Sequence, residues 1–403
     1  MEGFPYYFLE TTSQNNNSIP YSGQSLEAAF SRLNVSSLSH LPFSGVGYSS
    51  GASASKYPSG IAPNWSPEPL NNMSVADLRG KIATLAKDQY GCRFFQRAME
   101  AEPKEFTDMI FAEVIDDVAN LMLDPYGNYV IQKLVEVCSE EQRTQILLRW
   151  TKNPFLFITL CLHSHFRNGG RTRSVQKLLK KITTRDQVSL FVSALYCGVV
   201  DLCTNINGQH IMEYCMKNFS DEHKRCLLNV VIDNCVGIAK DKVGCCVLHK
   251  CVDYCYGETK GRLLAAIIGE ALILAQDRYG NYVLQHLLGL RAPQVTSSLL
   301  RQFQGNYMYL SCSKFGSNVV EKCLTESAEE QSAEIVRELC ISPNLSMLLM
   351  HPFGNYVFQT ALSVSKFGFD FTGSHPYFSV KSGSTIHSGS TRESIWEKGA
   401  CLA

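Results

Sequence analysis

Pairs of polar side chains four residues apart are the part of this chain best equipped for chemistry: Asn281 with Gln285, Ser317 with Glu321, Cys92 with Gln96. On a helix that spacing sets both members on one face, one above the other. Asn with Gln presents amide donors and acceptors together, Ser with Glu a hydroxyl beside an acceptor-only carboxylate, and Cys with Gln a small thiol beside one amide. Flat side chains follow the first member of several pairs: Tyr129, Tyr282 and Tyr356 are rings, and Arg93 and Arg173 are guanidinium planes. The chemistry on offer is hydrogen bonding and stacking. Nothing points to bond-making: the ten histidines form no HExxH or HxE…PCxxC pattern, and no phosphate-binding glycine loop is present.

These pairs recur because the stretch that carries them recurs. Asp277-Arg-Tyr-Gly-Asn-Tyr-Val-Leu-Gln285 has close copies at 124–132, 351–359, 313–321 and 88–96, and weaker ones at 205–213, 241–249 and 168–176. The fourth position falls at Gly91, Gly127, Arg171, Gly208, Gly244, Gly280, Gly316 and Gly354, with successive differences of 36, 44, 37, 36, 36, 36 and 38. A period near 36 indicates a solenoid, in which each unit buries its apolar face only against its neighbours. The predicted fold is all-α, a right-handed α-solenoid of eight helical repeats.

The elements that must position the pairs follow from the same stretch. Seven of the eight copies open on Asp, Asn or Ser, the helix N-cap types. Pro125 and Pro352 then fall at the first helical turn, where a missing N–H costs little. The last five residues of each copy, a pentad, therefore lie in the opening turns of a helix, and the third and fourth pentad residues, such as Val283 and Leu284, point to the core. Between pentads, Phe111–Met122 and the stretch from Ser332 through Ile335, Val336 and Leu339 keep an amphipathic period, so each unit holds two or three short helices. Leu78, Ile82 and Leu85 predict one first helix, with Ser74 and Asp77 as a capping box. Trp150–Phe166, with Asn153-Pro154 and then Gly169-Gly170, predicts a loop or a distorted helix in the third unit.

Outside the array the composition changes. Residues 1–70, rich in Asn, Ser, Gly, Pro and Tyr, lack periodic apolar positions and read as disordered, with Leu26–Leu33 the one candidate short helix or docking motif. Residues 71–365 form the repeat domain, and 366–403 read as an irregular tail without a clear closing helix. Lys plus Arg balances Asp plus Glu at 37 each, so a nucleic-acid ligand would have to be held by local contacts rather than by global charge. The 16 cysteines include a cluster, Cys245, Cys246, Cys251 and Cys255, but no CxxC pair, and are read as small apolar residues rather than zinc ligands. No signal peptide opens the sequence, and the apolar run 263–275 is too short for a membrane span. A cytoplasmic protein with reduced thiols, no cofactor and no membrane partner is expected.

The eight pentads resemble those of the Pumilio (PUF) family of RNA-binding proteins, whose repeats read one base each through two or three side chains. The resemblance implies a crescent that binds single-stranded RNA antiparallel to the chain, with the first and fifth pentad residues on the base edge and the second stacked between bases. Repeat 8 (Asn355, Tyr356, Gln359) then reads U, repeat 7 (Ser317, Asn318, Glu321) G, and repeat 6 (Asn281, Tyr282, Gln285) U. Repeat 3 (Thr172, Arg173, Gln176) reads A, repeat 2 (Asn128, Tyr129, Gln132) U, and repeat 1 (Cys92, Arg93, Gln96) A. The residues suit these assignments. A carboxylate accepts from both N1–H and N2 of guanine, two amides meet uracil's carbonyl and N3–H, and stacking contributes roughly 1–3 kcal/mol per base.

The middle departs from the family pattern: repeat 5 has Cys245, Cys246 and His249, and repeat 4 has Gln209, His210 and Glu213. The expected target is U-G-U-n-n-A-U-A within messenger RNA, bound by a monomer that represses translation or shortens message life through protein effectors on its convex face. Lys133, Lys177, Lys250 and Lys322, each just after a pentad, are placed either to reach phosphates or simply to face solvent. Two other readings compete. An armadillo-like protein scaffold would use the Asn/Gln pairs as a polar ladder between units, and a degenerate family member would bind RNA weakly.

Overall fold

In the chain a unit is three helices and two tight turns. The sixth is representative: Gly257–Gly269, Ala271–Ala275 and the pentad helix Gly280–Gly289. The computed structural model describes residues 75–101, 104–162, 170–365, 368–369 and 380–381, with backbone alone at 75–76, 170–173 and the last two pairs. The expectations for residues 1–70, for Ser74 and for most of the tail lie outside these. Among the described residues every longer element is a helix; Gly368–Phe369 pairs antiparallel with Val380–Lys381.

The chain divides into two compact units, one of residues 1–152 and 165–182, the other of 153–164 and 183–403. Within the first, the pentad helices Gln89–Ala101, Gly127–Val137 and Gly170–Leu179 stack in sequence order. Within the second, Gly208–Asn218, Gly244–Tyr254, Gly280–Gly289, Gly316–Glu326 and Gly354–Val364 do the same. This is the all-α solenoid that the period predicts. Val130, Ile131, Val283, Leu284, Val319 and Val320, at the third and fourth pentad places, are fully buried, each contributing about 1.5–3 kcal/mol. Phe94 and Phe358, at the same places near the two ends of the array, are only half-buried. Larger side chains complete each core, with Phe95, Phe106 and Trp150 in the first unit and the edge-on pair Phe157–Phe191 at 5.4 Å in the second.

The start of the pentad helix has a fixed construction. The Asp277 carboxylate accepts from the N–H groups of Tyr279 and Gly280, both at 2.9 Å. Asp88, Asp124, Asn205 and Asp241 cap in the same way. Ser313 takes the glycine N–H alone, and His351 supplies Nδ1 where the sequence has no Asp, Asn or Ser. Pro125 and Pro352 sit in this turn just ahead of the helix rather than inside it, at the place whose N–H the cap does not use. The glycine that opens the helix lies against the preceding short helix. A Cβ on Gly244 would stand 2.2 Å from the Ile238 carbonyl oxygen, and one on Gly208 2.6 Å from that of Leu202.

One expectation needs correction and another is narrowed. The first helix is two single turns, Val75–Leu78 and Ile82–Leu85, because Gly80 between them has φ of 76°. Glu113 holds the break, accepting from Gly80 N at 2.9 Å and Ile82 N at 3.3 Å. Glu338 repeats the device on Gly305 and Tyr307, with Gly305 at φ of 78°. In the third unit, where the sequence predicts a loop or a distorted helix, helix Glu140–Thr151 breaks at Lys152-Asn153 and Pro154–Leu162 resumes as a helix, while residues 163–166 lie outside the described ones. Asn153 Oδ1 accepts from Leu156 N at 3.1 Å and so satisfies the first turn of the second helix. Among the described residues the stretch Arg185–Thr204, which was not singled out from the sequence, is the one long and apolar enough to span a membrane by composition. It is two helices joined by the 3-10 turn Tyr196–Gly198, with Phe191, Leu195, Val199 and Leu202 in the core.

Because a methyl group on Gly244 collides with backbone while Gly261, at an exposed position inside a helix, has open space around it, the two alanine variants should move stability in opposite directions. Gly244→Ala is expected to lower the unfolding free energy by about 1–3 kcal/mol, and Gly261→Ala to raise it by about 0.4–1 kcal/mol, both read from denaturant midpoints.

Candidate nucleic-acid interface

The cap and the glycine fix where each pentad begins, and the pentad side chains then bond among themselves. In repeat 6 Asn281 Nδ2 donates to the Asp277 carbonyl at 2.8 Å, and Gln285 Nε2 donates to Asn281 Oδ1 at 2.8 Å. Repeat 2 repeats this through Asn128 and Gln132, with Asn128 Nδ2 also donating to the Pro125 carbonyl. Repeat 8 repeats it through Asn355 and Gln359. The Asn/Gln ladder therefore runs inside a unit, not between units as a scaffold ladder would. In repeats 6 and 8 it leaves the Oε1 and second N–H of Gln285 and Gln359 for a ligand.

Exposure grades the pentad. The first residue is tucked under: Asn128, Asn281, Ser317, Cys92 and Cys245 are buried, with Asn281 1% exposed. Asn355, at the end of the array, and Gln209 are half-buried. The second residue stands out, with Tyr282 and Tyr356 53% and 59% exposed; Arg93, His210, Cys246 and Asn318 are exposed too, and Tyr129 is half-buried. The fifth residue lies between, half-buried in Gln96, Gln176, Glu213, His249, Gln285 and Glu321, buried in Gln132 and exposed in Gln359. The side chains of Thr172 and Arg173 lie outside the described residues, although their backbone belongs to the helix Gly170–Leu179.

Repeat 1 differs in chemistry but not in plan: the Cys92 thiol donates to Gln89 O, and Gln96 Nε2 to Cys92 O at 3.0 Å. Burial pushes the Cys92 thiol up to about 11 and Cys245 up to about 12, so both stay protonated, weakly polar fillers. Cys251 and Cys255 are buried as well. In repeat 7 Ser317 faces Lys314 O at 3.5 Å. Burial raises the Glu321 carboxyl above its ordinary value, while the neighbouring Thr360 hydroxyl holds it back. Thr360 was not singled out by the sequence; its signal is its place, immediately after the pentad of the next repeat.

In repeats 4 and 5 the edge residue is bonded to its neighbours. Glu213 lies 3.7 Å from Lys250, and Gln209 donates to Ile206 O at 3.1 Å. His249 Nε2 is 3.2 Å from the Tyr282 carbonyl, an acceptor, so that nitrogen carries the proton. Its ring is stacked on His286 at 4.4 Å and 18°, and His286 in turn binds Asp253 at 2.8 Å. Burial, with His286 alongside, pushes the His249 pKa down to about 4.

The four lysines are engaged by acids. Lys133 pairs with Glu100 and Glu136, Lys177 with Glu136 at 2.6 Å, Lys250 with Glu213, and Lys322 with Glu326 at 2.8 Å. Neither of the sequence readings for them, phosphate contact or plain solvation, includes these partners. Pairs this accessible contribute about 0–1 kcal/mol each.

A helical-repeat solenoid with a constant turn and a varied, partly exposed edge residue in each repeat belongs to the modular recognition proteins. Seven segments, residues 81–115, 117–148, 198–232, 234–268, 271–296, 306–340 and 344–366, match the model of the Pumilio-family RNA binding repeat and cover more than half of the chain. The chain belongs to the Pumilio family. The matches leave out residues 149–197, the irregular third unit. Pumilio homolog 12 of Arabidopsis thaliana is 43% identical over 75% of this chain and 50% of its own, so the chain spans about half the length of that relative. Among solved structures, the Puf4 RNA binding domain bound to an HO endonuclease RNA 3′ UTR recognition sequence is 32% identical, with a TM-score of 0.61, covering 71% of this chain and 88% of that one. The RNA-binding domain of yeast Puf5p bound to AAT2 RNA is 28% identical, with a TM-score of 0.65, covering 73% and 85%.

The partly desolvated imidazole of His249 has a thermodynamic signature. An unfolded histidine binds its proton near the ordinary value of 6.5 and folded His249 only near 4, so the unfolded state holds more protons between those values. His249 therefore costs stability progressively as pH falls from 6.5 to 4. His249→Gln should lose less stability than the parent between pH 7 and pH 4.5, measured as the shift in urea midpoint; equal shifts in both proteins would count against a partly desolvated neutral ring.

Proposed function

We propose that this chain is a sequence-specific single-stranded RNA-binding protein that recognises U-G-U-containing elements, about U-G-U-n-n-A-U-A, in messenger RNA. The observation that carries the reading is a constant helix start holding a varied edge: Asp-x-x-Gly turns and buried pentad cores recur, while the fifth residue changes among Gln, Glu and His. A structural role needs no such change of partner. Repeats 8, 7 and 6 take the 5′ U-G-U through Asn355 and Gln359, Ser317 and Glu321, and Asn281 and Gln285; repeats 3, 2 and 1 take A-U-A. Exposed Tyr282 and Tyr356 are the stacking platforms. The related domains solved with 3′ UTR recognition sequences support messenger RNA as the ligand class. Repression of translation or of message stability, through protein effectors on the outer face of a cytoplasmic monomer, completes the proposal.

The test is binding of the chain to fluorescent U-G-U-A-A-A-U-A and to the same RNA with its G changed to A. The change should weaken binding by about 1–3 kcal/mol, the scale of one good base contact. Glu321→Gln, which leaves Ser317 beside an amide as in the adenine-type pair Cys92 and Gln96, should restore part of it. Weak binding indifferent to the base would favour the protein-scaffold or degenerate reading instead.

A further inference from the structure

Which acid the basic residue after a pentad finds depends on one position in the repeat before it, at Lys133, Lys177, Lys250, His286 and Lys322. Four residues beyond the fifth pentad residue stand Glu100, Glu136 and Asp253 in repeats 1, 2 and 5, and these receive Lys133, Lys177 and His286 of the repeats that follow. Repeat 6 has Gly289 there, and Lys322 turns to Glu326 on its own helix. Repeat 4 has Lys217, a like charge that cannot receive Lys250. Lys250 reaches the pentad itself instead, 3.7 Å from Glu213.

Glu213 occupies in repeat 4 the place that Glu321 occupies in repeat 7. Both have beside them the residue at the same position of the next repeat, but its chemistry differs. Thr360 gives Glu321 one neutral hydroxyl, which leaves the carboxylate its charge and its other lone pairs for a ligand. Lys250 gives Glu213 a full positive charge with three donors. A guanine edge brought to Glu213 must compete with that ammonium, whereas one brought to Glu321 adds to the hydroxyl.

We infer that Lys250 is a specificity-determining residue for repeat 4, although it lies in repeat 5 and outside every pentad. By holding Glu213 it keeps repeat 4 from selecting guanine at the fifth nucleotide. The inference rests on the base-reading proposal above.

The experiment compares the full chain with Lys250→Met and Lys217→Glu on U-G-U-A-X-A-U-A RNAs in which X is each of the four bases. Lys217→Glu leaves Lys250 in place but returns to it the acid partner that repeats 1, 2 and 5 provide, so it frees Glu213 through a change at an exposed position. The parent should bind the four RNAs within about twofold, and both variants should gain a guanine preference of about fivefold or more, the lower end of one base contact. Unchanged profiles in both variants, or a parent that already prefers guanine at X, overturn the inference. The parent's response to changing the second-position G to A, run alongside, tells these outcomes from failure of the base-reading proposal, which would take the inference with it.

Discussion

A helix start with no room for a Cβ is the constraint on which the rest depends. The pentad glycine lies so close to the carbonyl of a residue in the preceding short helix that a side chain there would collide with backbone. That contact, together with the cap three residues earlier, sets the rotation about its axis of each pentad helix that has the glycine; the third repeat has Arg171 in its place. Once rotation is set, the third and fourth residues must enter the core and the first, second and fifth must line one surface. The surface that carries the second and fifth residues is thus a by-product of how two helices abut, repeated from unit to unit.

Much of this was legible in the sequence because the repeat supplies its own controls. Asp, Gly and the apolar pair recur at fixed places, and eight imperfect copies separate what the fold needs from what varies. The cap at Asp277, the buried Val283 and Leu284 and the exposed Tyr282 follow from that comparison. What was not legible lay where one residue overrides a period. Gly80 breaks a stripe that Leu78, Ile82 and Leu85 would otherwise continue, since a positive φ leaves no mark on apolar spacing. Asn153 starts a helix over a Pro-containing stretch that composition alone marks as irregular.

The contacts between repeats were hidden for a different reason. Lys133, Lys177, Lys250 and Lys322 occupy equivalent positions and look alike in the sequence, yet their partners are set by a residue one repeat earlier. The stacked pair His249–His286 is likewise a meeting of two repeats. A reading made one repeat at a time sees the donor or the acceptor, never both.

That separation changes what counts as the exchangeable module. Glu321 has Thr360 beside it, Glu213 has Lys250 and His249 has His286, so an edge residue and the group that disposes it sit on opposite sides of a repeat boundary. A cassette cut at the sequence period would carry one half of each arrangement and leave the other behind. The natural unit of transplantation is the junction, a pentad together with the first residue beyond the pentad that follows it.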